Sequence, residues 1–314
     1  MITSKNYRWI LAICLIFITC FFIDWGAVKD AFSSQHFEAL LISQPIQFLL
    51  IYIASYRLAI LIQNNSNKIL VFFQAYILSI GFNTFLPGRI SEIVKVTYLK
   101  EWLNIPATNS SVGVIVERLI DFLTLIGLVL LGFGSLWLDS NFFLFASIFV
   151  LIVLFIIFIS IYSDLICRFI DTLPFNGLKD NLKNIVLKFK ETLRSKGFTL
   201  ALILSIFLWV GSYLMLLLIL KTIYGSGISM NDTLIIFSAM SLGRSIPGLP
   251  GGIGIYEAAI VIAMEYLGFG FSESLATAIT VHASQIVFVT LLSLILFGKK
   301  GIGLSFLIKK FKRE

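Results

Sequence analysis

The sequence predicts an all-α polytopic membrane protein. It would have about six full transmembrane helices and two oppositely oriented re-entrant helical hairpins that form an inverted repeat. Three observations predict this fold. Hydrophobic residues make up 58% of the 314 residues and charged residues only 13%, whereas soluble domains carry roughly 25% charged residues. Apolar runs of membrane-spanning length recur along the chain, and two of them are interrupted by proline and glycine.

The full crossings are predicted from uninterrupted apolar runs. The first run follows Lys5 and Arg8 and is not followed by a small-residue cleavage site, so we expect a retained helix. The other crossings are expected at about 45–62, 114–137, 142–162, 198–220 and 275–297. The three cysteines show neither metal-ligand nor disulfide spacing. No metal site and no cofactor are therefore expected.

Basic residues in short loops predict the orientation, because such loops stay on the cytoplasmic side. Both termini are basic, as is the segment 163–197, and the formal net charge is +7. We expect all three in the cytoplasm, with the chain in the cytoplasmic (inner) membrane. Residues 1–314 are predicted to form one domain, within which 163–197 is an amphipathic cytoplasmic loop lying on anionic lipid. No basic extramembrane domain is predicted, so no nucleic-acid partner is expected.

Two segments must then enter and leave the bilayer on one side. Residues 69–107 do so from the cytoplasm, with a break at "LPG", and residues 230–270 do so from outside, with a break at "IPGLPGGIG". Inverted pairs of broken segments are typical of transporter binding sites. The alternative, that both breaks are kinks in ordinary crossings, stays open.

Each break carries charged residues that predict a binding site for an anionic group. Freed backbone N–H groups and glycines allow close approach of a phosphate, and arginine binds phosphate in a bidentate manner. The predicted substrate-binding residues are Arg89, Glu92, Lys95, Arg244, Gly251, Gly252, Gly254 and Glu257. A solvated face for the first three and a structural ion pair for Arg244 and Glu257 are the alternatives.

A second set of polar residues is predicted to support or couple this site. Its members are Glu117, Arg118, Asp121, His282 and Gln285. The first three lie at one end of a predicted helix and could pair with Arg89 or Lys95, or remain at the interface. The other two could line a cavity or relay protons, or could only bridge helices by hydrogen bonds. Arg57 lies near a predicted helix end and is interpreted as reaching the interface.

Three blocks of the sequence resemble a known family. "NTFLPGRISEIVKVTYL", "VERLIDFLTLIGLVLLG" and "IPGLPGGIGIYEAAIV", in this order and spacing, are similar to the lysylphosphatidylglycerol synthase transmembrane domain family, which includes the flippase half of the bacterial multiple peptide resistance factor. The matching positions are Pro87, Gly88, Arg89, Glu92, Glu117, Arg118, Asp121, Pro250, Gly251, Gly252, Gly254 and Glu257.

The resemblance implies a flippase that moves an anionic phospholipid or a lipid-linked sugar across the bilayer, without enzymatic activity. The sequence given has no room for a soluble aminoacyl-transfer domain, so lysine transfer is not expected of it. One alternative is an intramembrane glycosyl- or phospho-transferase acting on a polyprenyl-phosphate lipid. Another is a non-transporting subunit of a cell-envelope assembly. Membrane lipids are the expected surroundings, and association into a homo-oligomer stays open.

Overall fold

A computed structural model describes residues 26, 29, 32–62, 68–85, 91–133, 140–172, 179–246 and 250–300. The described residues form ten α-helices. These are α1 (Ser34–Leu61), α2 (Ile69–Phe85), α3 (Ser91–Leu103), α4 (Ala107–Phe133), α5 (Ser140–Thr172), α6 (Lys179–Arg194), α7 (Lys196–Tyr224), α8 (Met230–Ser245), α9 (Ile255–Tyr266) and α10 (Phe271–Lys300). The predicted all-α class is confirmed for the described part of the chain.

Capping side chains account for where several helices begin. Ser33 precedes α1, and its backbone N–H donates to Nδ1 of His36 at 3.2 Å. The helix therefore starts eleven residues before Pro45, and the predicted start at about residue 45 was wrong. Ser195 caps α7 by accepting from the Phe198 N–H, and Ser229 caps α8 together with Asp232. Each cap pairs backbone groups that a helix end leaves free.

The segment 163–197 is mostly helical. Helix α5 continues past the predicted end at residue 162 to Thr172, and non-helical backbone angles at Tyr162 mark a kink at that point. Helix α6 follows and packs against α4 and α5, with Phe189 buried. The predicted amphipathic segment is therefore one kinked extension followed by a separate helix.

The helices occur in two sets of four with matching lengths. Helices α1 and α7 have 28 and 29 residues, and α2 and α8 have 17 and 16. Helices α3 and α9 have 13 and 12 residues, and α4 and α10 have 27 and 30. We call α1–α4 the first half and α7–α10 the second half; α5 and α6 connect them.

The packing between helices is also the same in the two halves. Within each half, the long first helix packs on the first short helix and the two short helices pack on each other. The second short helix then packs on the long last helix. Between halves, α1 packs on α7, α2 packs on α10, and α8 packs on α4. Exchanging the halves leaves this set of contacts unchanged, which is the arrangement expected of an internal structural repeat.

Two glycines permit the closest helix contacts. Gly81 of α2 lies against the Ser293 side chain of α10. That side chain fills the position that a Cβ atom on residue 81 would take. At Gly243 of α8, an added Cβ would lie 2.8 Å from Cβ of Ala259 and 3.2 Å from the Ile255 carbonyl oxygen, both in α9. Small residues at such crossings allow backbones to approach, as is usual in membrane helices.

Three described helices are long and apolar enough to cross a membrane. They are α1, the segment Lys196–Gly227 that contains α7, and Phe271–Leu296 within α10. Helix α7 exposes Ile206, Phe207 and Val210 on its outer surface, as a lipid-facing helix would. The predicted first crossing, before residue 24, and residues 301–314 of the basic C-terminal tail lie outside the described residues.

Candidate functional site

A cavity of about 1350 Å³ lies between the two halves. Side chains from both contribute to its wall, including the predicted residues Lys95 and Glu117 from the first half and Arg244 and His282 from the second. The volume exceeds the range of roughly 300–1,000 Å³ that is common for small-ligand pockets. It can therefore accommodate a polar group of considerable size.

The second helix break meets the end of α2 beside this cavity. Helix α2 ends at Phe85, and a 3₁₀ turn at Pro250–Gly252 packs against the end of α2. A Cβ at Gly251 would lie 3.7 Å from both Cα and the carbonyl oxygen of Thr84. Thr84 itself shares a hydrogen bond of 3.2 Å with Thr290 of α10. Arg89, Pro87 and Gly88, which were predicted at the first break, lie outside the described residues.

A buried charge network joins α1, α3 and α4 on the first-half side of the cavity. The Arg57 guanidinium donates to both carboxylate oxygens of Asp121, at 2.7 and 3.2 Å, and lies 3.3 Å from Glu117. It also donates to the Ser205 hydroxyl of α7 at 2.8 Å. The network therefore ties the first half to the second through one side chain.

Three further ion pairs, made by Lys95 and Arg118, complete this network. Lys95 lies 3.2 Å from Glu117, and its ammonium group is 4.3 Å from the centre of the Tyr76 ring. Arg118 lies 3.0 Å from Glu92 and 3.7 Å from Asp121. The predicted pairing of Glu117 with Lys95 is confirmed. The alternative of a solvated face is wrong for Lys95, which is only 1% exposed.

Arg57 is the residue that the sequence analysis misjudged. It was interpreted as reaching the interface, but only 2% of its surface is exposed. Its membership of the site depends on Asp121 and Ser205, which are 64 and 148 positions away in the chain. The available signal was the rule that an ionisable residue within an apolar membrane helix is a candidate functional residue.

Such a buried network contributes little net free energy when it is complete, but breaking it is costly. Desolvation of buried ions offsets much of their attraction, so the network adds little net stability. Removing one partner is different, since it leaves a buried charge without compensation and costs about 3–5 kcal/mol. The network therefore fixes the relative positions of α1, α3 and α4 more than it strengthens the fold.

The second break depends on glycine backbone conformations. Gly251, Gly252 and Gly254 have φ values of 70°, 80° and 90°, in the left-handed region that residues with a Cβ seldom adopt. The chain turns through these residues and starts α9 at Ile255. These three glycines thus have a local conformational role that the sequence analysis, which assigned them to close approach of a phosphate, did not predict.

Glu257 links this break to α10. One carboxylate oxygen accepts the Gly254 N–H at 2.7 Å, which caps α9. The other lies 2.6 Å from Nδ1 of His282. His282 is 5% exposed, and its Nε2 lies 3.0 Å from the carbonyl oxygen of Gly251. These contacts bring together Glu257, which was predicted to bind substrate, and His282, which was predicted to support or couple the site.

Arg244 lies on the same side of the cavity without a carboxylate partner among the described residues. Its guanidinium donates to Oε1 of Gln285 and lies 5.6 Å from the centre of the Tyr256 ring. The Gln285 amide nitrogen donates to the Tyr256 hydroxyl at 2.7 Å. Arg244 is an exposed residue on the cavity wall. The alternative of an Arg244–Glu257 ion pair is not observed in the described structure, because Glu257 faces His282 instead.

The charges on the cavity wall do not balance. The described lining residues include five cations and three carboxylates, which gives an excess of two positive charges. The cations are Arg57, Lys95, Lys100, Arg118 and Arg244, and the carboxylates are Glu92, Glu117 and Asp121. An excess of one sign in a cavity with low-dielectric walls favours a ligand of the opposite sign.

Apolar helices, a repeated arrangement of long and short helices and a charged internal cavity define the chain as a polytopic helical protein embedded in a membrane. The chain matches the family model described as lysylphosphatidylglycerol synthase TM region over residues 9–293. It belongs to that family, as its motifs predicted. No curated protein and no solved structure matches the chain.

Proposed function

We propose that this protein is a lipid flippase that moves an anionic phospholipid or a lipid-linked sugar across the cytoplasmic membrane. The head group would pass through the cavity between the two halves, while the acyl or prenyl chains stay in the bilayer. We propose no enzymatic step, no metal and no cofactor for this movement.

One observation carries the proposal. Arg244 lines the cavity, and no described carboxylate neutralises it, whereas Arg57, Lys95 and Arg118 each pair with one. A guanidinium held by an amide and placed over an aromatic ring remains able to bind phosphate oxygens. The two excess positive charges of the cavity favour the same kind of ligand.

The membrane arrangement belongs to the proposal as well. We propose that α2–α3 and α8–α9 are re-entrant hairpins that enter from the cytoplasmic and the outer side, and that both termini are cytoplasmic. The repeated helix lengths and the meeting of Gly251 with Thr84 support two hairpins whose tips approach each other. Alternating exposure of the cavity would then carry the head group across.

Cysteine labelling tests this arrangement. Single cysteines at Ser91 and Ile253, in a background with the three native cysteines replaced, are treated with a membrane-impermeant reagent from each side. Ser91 should react from the cytoplasm and Ile253, which is exposed, from outside. Reaction of both from one side would contradict the oppositely oriented hairpins.

Lipid movement is tested with the purified protein in liposomes that contain a fluorescent phosphatidylglycerol. We expect faster exchange between leaflets than in empty vesicles, and a loss of this exchange in Arg244→Ala. The matched control is Arg194→Ala, because Arg194 is an exposed arginine of α6 that does not line the cavity. Equal rates with wild-type protein and in empty vesicles, for both phosphatidylglycerol and a lipid-linked sugar, would contradict the proposal.

Lipid analysis of this preparation and a test of the variants in cells separate the alternatives. A transferase acting on a polyprenyl phosphate would convert its lipid to a product, which mass spectrometry of the extracted lipids detects. A non-transporting subunit would keep its cellular role in Arg244→Ala while losing it when the surface of α6 is altered.

A further inference from the structure

We infer that His282 and Glu257 form a proton-binding site that clamps the break between α8 and α9, and that loss of its proton releases the break. This inference stands on the geometry of the pair. Only its consequence for lipid movement rests on the proposed function.

Both ring nitrogens of His282 face oxygen atoms that can accept a proton. Nδ1 lies 2.6 Å from a carboxylate oxygen of Glu257, and Nε2 lies 3.0 Å from the Gly251 carbonyl oxygen. A carbonyl oxygen cannot donate, so Nε2 must carry a proton. The short distance to Glu257 requires a second proton between Nδ1 and the carboxylate.

The observed contacts require one more proton than a neutral His282 beside an ionised Glu257 would carry. A neutral imidazole beside an ionised carboxylate has a single proton, and the observed contacts need two. The additional proton is on Nδ1 if the pair is ionised, or on Glu257 if it is neutral. In either case both contacts of His282 exist only while that proton is bound.

The clamp holds both ends of the glycine turn. Gly251 is bound through its carbonyl oxygen to His282, and Gly254 is bound through its N–H to the second oxygen of Glu257. When the additional proton leaves, the remaining one can serve either Glu257 or Gly251, but not both. One end of the turn is then released from α10.

The other described groups around His282 are a tyrosine, an arginine and side-chain amides, so we assign the additional proton to His282 and Glu257. Helix α9 presents Tyr256, whose ring centre is 4.5 Å from that of His282, and α8 presents Arg244, which is held by Gln285. Helix α1 contributes the Gln47 amide, which donates to the Gln285 carbonyl oxygen.

Helices α2 and α7 meet α10 through hydroxyl pairs on other turns of the helix. These are Thr84 with Thr290 and Tyr224 with Thr277. Among the described groups, Glu257 is therefore the carboxylate that contacts the histidine.

The direction of the pH effect follows from linkage. The clamped state binds the additional proton and the released state does not, so lower pH favours the clamped state and higher pH the released one. Lipid movement that requires the released turn should accelerate as pH rises and the additional proton is lost.

Glu257→Gln offers an isosteric imitation of the protonated pair. The amide N–H can donate to Nδ1, while the amide oxygen accepts from Gly254 and Nε2–H still donates to Gly251. All contacts of the clamp are then satisfied without an additional proton. This variant should fold, keep the turn clamped and lose its response to pH.

Nitrogen-15 NMR of the imidazole ring tests the proton site without any transport assay. The chain has two histidines, so His36→Gln leaves His282 as the single reporter. In lipid nanodiscs at neutral pH we expect a proton on Nε2, and a change in the ring signals as pH rises. In His36→Gln with Glu257→Gln, we expect Nε2 still protonated and no such change. A wild-type ring protonated only at Nδ1, or insensitive to pH, would overturn the inference.

The transport consequence is tested in liposomes at matched pH on both sides. Wild-type lipid exchange should rise with pH, and Glu257→Gln should be slow and independent of pH. The expected NMR signals of His282 in a protein that moves no lipid would contradict the proposed function and leave the proton site intact. Unchanged pH dependence in Glu257→Gln would overturn the link between the proton and the break.

Discussion

The two halves of the molecule share one arrangement of helices and differ in the chemistry they place on it. In the first half, α3 and α4 bring Lys95 and Glu117 together, and Arg57 closes the network on Asp121. In the second half, α9 and α10 bring Glu257 and His282 together, and Arg244 contacts Gln285, an uncharged residue. Asp121 and Gln285 each lie fourteen residues after the start of their helices.

The same arrangement of helices holds mutually neutralising charges in the first half and polar groups that can still bind a ligand in the second half. Charges that neutralise each other hold helices in place but leave little attraction for a ligand. A cation paired with an amide, and a histidine paired with a carboxylate, keep the capacity to bind an anion and a proton. We therefore expect the first half to govern stability and the second half to govern binding.

The largest effect is expected from Glu117→Ala. This change removes the carboxylate between Arg57 and Lys95, both of which are buried. The uncompensated charges should lower the free energy of unfolding by about 3–5 kcal/mol, measured by denaturant or thermal unfolding in detergent. As the control, Glu191→Ala breaks an exposed pair with Lys188 on α6 and should cost less than about 1 kcal/mol. Equal losses would show that burial does not distinguish the two pairs.

Arg244→Gln should affect binding more than stability. The change removes the cation that lacks a described carboxylate partner, so affinity for phosphatidylglycerol should fall about tenfold or more, as expected for one charge-assisted hydrogen bond. Titration with a fluorescent lipid measures this affinity. Arg118→Gln is the matched comparison, because Arg118 also lines the cavity but is already paired with Glu92 and Asp121. A larger loss with Arg118→Gln would reverse the assignment.

Gly254→Ala tests the backbone of the second break. An alanine would have to adopt φ near 90°, which costs about 1–3 kcal/mol. Thermal unfolding should show this loss. Gly270→Ala serves as control, since no atom lies within 4 Å of its added Cβ and its φ is not positive. If the two variants are equally stable, the turn is not fixed in the observed conformation.

The smallest effect is expected outside both halves. On α6 the Lys183 side chain contacts the Asp171 carboxylate, and this hydrogen bond raises the pKa of Lys183. A raised folded-state pKa gives stability that is present below the unfolded pKa and is lost as pH rises through the folded pKa. Because Asp171 is exposed and solvent screens the pair, the alkaline decline should be barely measurable in melting temperature, and Asp171→Asn should abolish it. A steep decline that persists in Asp171→Asn would have another origin.

Much of the fold could be predicted from the sequence because it depends on local patterns. Apolar runs indicated the long helices, and proline and glycine marked the interruptions on either side of which α8 and α9 lie. The start of α1 was missed because the apolar run begins later than the helix. The cap formed by Ser33 and His36 sets that start, and these polar residues carry no hydropathy signal.

The site was predictable residue by residue but not as a set of partners. Lys95 was one of two partners anticipated for Glu117, because Glu117 lies at the end of a predicted helix and Lys95 follows the first predicted break. The pairing of Glu257 with His282, and that of Arg57 with Asp121, depends on how distant helices cross. Helix periodicity fixes which residues share a face, but it does not fix which face meets which neighbour.

The tight crossing at Gly243 determines how the second break can move. A Cβ added at Gly243 would lie only 2.8 Å from the Ala259 Cβ, so α8 and α9 pack closely there and leave little room for one helix to shift without the other. We therefore expect α8 and α9 to move together. Arg244 is the next residue in the chain and Glu257 lies on α9, so the proposed anion-binding residue and the proposed proton-binding residue would shift in a single step.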